Sequence, residues 1–204
     1  MGEEKEVRRR RKVAPTKGDL RERAILDAAE RQLDAGGPEG MTVETIAKAA
    51  GITRGAFYFY FGSKNDVLAA LVQRTVSILR GAVDAADAAA APGEALRRGL
   101  EQTARMWREH GTVMRAAVEL SPVVPAVDEA WRSAVIALAA TTRGIAERAG
   151  TPSGSGPRDA AAVVAALVWM TERVFYQAHL AGGSLDEATA TLTHIWLTTL
   201  GIQP

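Results

Sequence analysis

The chain has no cysteine, which excludes a disulfide framework, a thiolate zinc site and a cysteine nucleophile. Histidine is scarce. His110, His179 and His194 lie far apart and form no ligand pair at i, i+3 or i+4, so they suggest neither a metal nor a relay. No glycine-rich phosphate loop is present, because 150–156 reads as a Thr/Ser/Pro linker. A long hydrophobic run is also missing: Ala160 to Met170 is the longest strongly apolar stretch, well short of the ~20 residues that span a bilayer. The basic run Arg8 to Lys12 is followed by no apolar segment and does not read as a secretory signal. Charge of one sign is absent overall, with 25 Lys and Arg against 24 Asp and Glu. A histone-like chain that binds polyanions over its whole surface is therefore excluded. These absences lead to the expectation of a cytoplasmic protein that is not an enzyme, takes no metal or cofactor and enters no membrane.

What is present fills a helical core. The 204 residues suit one large domain or two small ones, and 47% hydrophobic with 24% charged residues is ordinary for a packed protein. Charge is unevenly spread: residues 1–80 hold 15 Lys and Arg against 11 Asp and Glu, and 81–204 hold 10 against 13. A basic N-terminal part joined to a mildly acidic remainder suits a chain that meets a polyanion at one end. Residues 1–18 read as a disordered basic arm, which either touches DNA or is only solvated chain.

Almost every other segment has helical periodicity. Ile25, Ala28, Ala29 and Leu33 mark a first helix, with Asp19 able to cap its start and Gly36-Gly37-Pro38 stopping it. Thr42, Thr53 and Ser63 read as caps of the next three. Further helices are expected near 94–110, 112–120, 126–149, 158–180 and 185–200. The fold class is all-α, with about nine helices: a three-helix head over 19–64 and a helical body over 65–204.

Two short helices separated by Ala50-Gly51-Ile52 have helix-turn-helix spacing. Ala47 is small where they cross, and Gly51 supplies the left-handed turn conformation. Next comes Phe57-Tyr58-Phe59-Tyr60-Phe61, five of the chain's 11 aromatics. Its propensity alone favours a strand. The flanking caps and the want of a partner strand favour a helix, with Phe57 and Phe61 stacked at i, i+4 on the core side. That core needs Phe57 and Phe61 but not the hydroxyls of Tyr58 and Tyr60. Lys64 stands in the first turn of a helix, where the macrodipole disfavours a cation unless a phosphate sits there too. Thr42, Thr53, Tyr58, Tyr60 and Lys64 thus suit phosphates, while Arg54 at a helix start can reach a guanine edge.

The run from Ala47 through Gly51, Ile52, Thr53, Gly55, Phe57, Tyr58, Tyr60, Phe61, Ser63 and Lys64 to Leu68 resembles the TetR family of bacterial one-component transcription regulators. The resemblance implies double-stranded operator DNA as partner, with Arg54, Gly55, Ala56, Tyr58, Tyr60 and Lys64 at the operator and Thr42 and Thr53 as phosphate-contacting caps. Further along, Trp131, the Met170 to Arg173 segment and His194-Ile195-Trp196 resemble a branch of that family with a long hydrophobic ligand tunnel. Matching motif to motif implies Leu96, Thr103, Trp107, Val135, Leu138, Thr142, Val168, Thr171, Phe175 and Trp196 on or near a site for a small hydrophobic effector. Val168 and Thr171 stand where that branch carries amides, so the polar handles differ.

Read without the family, 160–170 is apolar on every side and must be buried on every side. Val164, Val168, Thr171 and Phe175 can face their own subunit. Leu167, Met170 and Val174 need another cover: either the rest of the body or, in a homodimer, a second copy. Trp107, Trp131 and Trp196 fall on separate helices among small neighbours, as around a ligand cavity or in an ordinary core. Glu172 beside Arg173 reads as an ion pair. The function expected is a repressor released from a palindromic operator by its effector. The alternative is a nucleoid-structural or partner-binding member that lacks an inducer.

Overall fold

The structure, a computed structural model, describes residues 16–87 and 91–203, so most of the basic arm lies outside the described residues. Among them are eight helical elements and no strand: α1 (Lys17–Gly40), α2 (Val43–Ala49), α3 (Arg54–Tyr60), α4 (Lys64–Asp87), α5 (Pro92–Leu120), α6 (Pro125–Arg148), α7 (Ala160–Leu180) and α8 (Leu185–Thr199). The expected break at Gly111 is a bend instead. Backbone torsions turn non-helical at His110 without ending α5, and its two arms make up the nine expected helices. A Cβ at Gly111 would run into the His179 ring, so glycine here lets α7 close on the bend.

Local chemistry sets the ends. Thr42 Oγ1 accepts from the Thr45 amide, Thr53 Oγ1 from Ala56 and Ser63 Oγ from Asp66, at 3.1, 3.1 and 3.2 Å. At the start of α1 the cap is Thr16 rather than Asp19. Thr16 Oγ1 accepts from the Asp19 amide, and Asp19 returns its carboxylate to the Thr16 amide at 2.8 Å. Asp19 is therefore the third helical residue of a capping box. Regular helix in α1 ends at Gly37 (φ 68°), as the Gly-Gly-Pro run suggested, and Pro38 opens one further turn.

The head is α1 to α3, and α4 belongs to both halves. Its first turns bury Val67, Leu68 and Leu71 in the core shared with α1, and its later ones carry Val76, Leu79 and Val83 among α5 and α6. Head and body are also joined by charge. Arg74 of α4 donates to Asp27 (2.6 Å) and Glu30 (2.5 Å) of α1, and His110 Nδ1 at the bend in α5 pairs with Glu30 Oε1 at 2.6 Å. Thr112 reaches Asp34 beside them. No helix among the described residues is long and apolar enough to cross a membrane.

Candidate nucleic-acid interface and interior cavity

The head's outer surface is built by two caps and one turn. Gly51 takes φ +67°, and the Ile52 amide donates back to the Ala47 carbonyl at 3.0 Å, which sets α3 across α2. The aromatic run is helical over 54–60, with Phe61 already extended as its C-cap. Phe57 is fully buried and its ring centroid lies 6.1 Å from that of Phe61. Thr42, Thr53, Arg54, Gly55 and Tyr58 are exposed, while Ala56, Tyr60 and Lys64 are half-buried. All eight lie on or beside α2, α3 and the start of α4.

Two of the cations are not idle. The Arg54 guanidinium donates to Glu44 Oε1 of α2 at 2.6 Å and to the Tyr58 hydroxyl at 3.2 Å, one turn along α3. The Tyr58 bond, then the Glu44 charge, hold it more firmly protonated than an isolated arginine. Lys64 Nζ donates to the Pro38 carbonyl at 3.1 Å, which tethers α4 to the end of α1 and leaves further N–H donors over. Sequence reasoning missed Glu44, whose pairing across two helices leaves no local signature. It also missed Phe59, 84% exposed beside a shallow hollow formed with Arg21, Ile52, Ala56 and Tyr60.

The body holds a partly open apolar cavity of about 80 Å³ walled by α4 to α8. Leu96, Thr103, Trp107, Val135, Leu138, Thr142, Val168, Thr171 and Trp196 all line it. Phe175 does not; it is wholly buried away from that wall. The α4 contribution of Val76, Leu79 and Val83, the thioethers of Met106 and Met114, and Glu172 complete much of the lining and were not anticipated. The wall's threonine hydroxyls are engaged: Thr103 donates to the Gly99 carbonyl and Thr142 to that of Leu138, both at 2.9 Å. Thr171 Oγ1 accepts from Trp196 Nε1 at 2.8 Å. Glu172 and Arg173 do pair, but loosely, with Oε2 4.0 Å from a guanidinium that also lies over Tyr176.

On the outside of α7, Leu167 turns into the protomer's own core and Met170 and Val174 are half-buried. The exposed stripe runs through Ala162, Ala165, Ala166 and Trp169, the last 46% exposed.

A helix-turn-helix head on a hollow helical body defines a one-component DNA-binding regulator. Residues 25–71 match the family described as bacterial regulatory proteins, tetR family, and residues 96–201 match the C-terminal domain of the transcriptional regulator EthR. The chain is 34% identical over 201 residues to the HTH-type transcriptional regulator EthR of Mycolicibacterium smegmatis, covering 94% of this chain and 91% of that one. The EthR of Mycobacterium tuberculosis is likewise 34% identical, with 94% and 92% covered. A TetR-like transcriptional regulator of Rhodococcus sp. RHA1 superposes with a TM-score of 0.66 at 26% identity, covering 93% of this chain and all of the other. The chain belongs to the TetR family of DNA-binding transcriptional regulators, in the branch of EthR.

Proposed function

We propose that two copies of this chain form a repressor on a palindromic operator in the cytoplasm, and that a small hydrophobic effector held in the body cavity releases it. The observation that carries this is α4. One unbroken helix begins with Lys64 at the DNA end and ends with Val76, Leu79 and Val83 in the cavity wall, so a molecule that displaces the wall moves the lever that holds the head. The Arg74 and His110 contacts to α1 make the head follow.

At the operator, Arg54 reads a base edge after exchanging Glu44 for guanine, and Thr42, Thr53, Tyr58, Tyr60 and Lys64 hold phosphates. Gly55 and Ala56 keep the first turn of α3 thin enough to enter the groove. Two heads reach successive major grooves only when ~34–36 Å apart, so a modest swing of each ends binding. The apolar stripe of α7, with Met170 and Val174 behind Trp169 and Leu167 packed beneath, and the neighbouring α8 suit an isologous interface.

The test is operator affinity by fluorescence anisotropy, with and without an apolar ligand already shown to bind the body. Release with a coupling of about 1–3 kcal/mol is expected, and operator must weaken ligand binding by the same factor. Equal affinities for every such ligand would leave a DNA-binding dimer with no switch.

A further inference from the structure

The cavity is almost wholly apolar, yet one carboxyl group stands in its wall. Glu172 is only 9% exposed, and its Oε1 is the one buried side-chain nitrogen or oxygen among the described residues with no hydrogen-bond partner. The threonines of the wall do not serve it: Thr103 and Thr142 donate to carbonyls of their own helices, and Thr171 accepts from Trp196. No lysine, arginine or histidine is among the described lining residues. Arg173 sits on the outer side, 58% exposed and over Tyr176, in a separate surface hollow with Asp128 and Arg132 that Glu172 also borders. Glu172 therefore stands between an apolar chamber and a polar surface, with an acceptor left over.

We propose that Glu172 is the polar handle of the cavity and that its ligand is an apolar molecule bearing a basic nitrogen, whose ammonium donates to Glu172 Oε1. This rests on the reading of the cavity as the effector site. Burial raises the affinity of the Glu172 carboxyl for its proton, only partly opposed by Arg173, so the group gains most from a partner that brings both a positive charge and an N–H. A neutral alcohol brings a donor without the charge, and a carboxylate adds a second negative charge to a site already reluctant to hold one.

The experiment is calorimetric titration of the whole protein with n-octylamine, n-octanol and octanoate, which share one apolar chain. Wild type should bind the amine about tenfold or more tightly than the alcohol and the carboxylate weakest. In Glu172→Gln the amine-to-alcohol ratio should fall to near one, and in Glu172→Leu it should invert. Each titration is paired with operator anisotropy. An equal affinity for amine and alcohol in wild type, or an amine preference that survives in Glu172→Gln, overturns the role of Glu172. If octanol binds and releases operator meanwhile, the effector reading stands without it. An amine that binds through Glu172 but leaves operator affinity unchanged supports the handle and contradicts the switch. Failure of all three chains to bind overturns both.

Discussion

Head and body use polar groups in opposite ways. In the head they are outside, and those most suited to DNA are held by neighbours: Arg54 by Glu44 and Tyr58, Lys64 by the Pro38 carbonyl. In the body the cavity's polar groups are inside: Thr103 and Thr142 are bonded within their own helices, Thr171 is bonded by Trp196, and one buried carboxyl oxygen of Glu172 has no partner. The head is a small core filled by large rings, with Arg54, Tyr58 and Lys64 held in place on or beside short helices. The body is a larger core left incompletely filled. Specific contact with a fixed ligand, DNA, calls for rigidity; a response to a small molecule calls for slack that the molecule can take up. α4 joins the two because it is packed tightly at one end and lines the void at the other.

The largest way to test that contrast is to remove filling from each half. Phe57→Ala should cost about 3–5 kcal/mol, because the three-helix head has no second layer with which to collapse into the hole. For a like-for-like pair, Val67→Ala in the packed core of the head should cost more than Val135→Ala at the edge of the cavity. Urea unfolding of both valine variants measures the difference, and equal losses would mean that the body is no slacker than the head.

A smaller effect divides the head's own surface. Arg54→Ala should cost about 1–3 kcal/mol at selected base pairs and relax preference there. Lys64→Ala should weaken all sequences by a similar factor and flatten the salt dependence by about one unit of slope. Operator and scrambled duplexes titrated at several salt concentrations separate the two. An unchanged sequence preference in Arg54→Ala would remove it as a base reader.

The head was far more legible than the body, for a physical reason. Thr42, Thr53 and Ser63 cap by bonding three residues ahead, so their role is written locally. Even there, which of Thr16 and Asp19 is the cap turns on backbone torsions that composition does not carry. In the body, the cavity residues followed from likeness to a family rather than from periodicity, which marks a face as buried without saying whether it meets a neighbour or a void. Phe175 and Leu167 show the cost: both lie on apolar faces, and packing alone decides that one avoids the cavity and the other turns inward. Glu172 next to Arg173 reads as a pair in sequence. Successive helical residues point about 100° apart, and the structure keeps the pair only as a long 4.0 Å contact, a separation that leaves Glu172 at the cavity and Arg173 at the surface.

The smallest expected effect is a pH signature of that separation. The folded Glu172 carboxyl titrates above its unfolded value because of burial. Its protonated form therefore adds stability at low pH, which is lost as pH rises through the window between the two values and stays lost above it. Glu172→Gln has no such loss. Its melting temperature should approach that of wild type in acid and exceed it from mildly acidic to neutral pH. Parallel melting curves across that range would mean that the carboxyl is not buried in solution.

The central claim is that the void in the body sets the separation of the heads through α4. The absence of cysteine allows a direct measurement, because Lys48→Cys on the exposed side of α2 introduces a single labelling site in each copy. Electron–electron resonance between the two labels gives the distance distribution across the dimer. Filling the cavity, by Thr171→Trp or by a bound apolar ligand, should move that distribution away from the one observed on operator DNA. An identical distribution with the cavity empty and filled, in a dimer that still binds the ligand, would contradict the account.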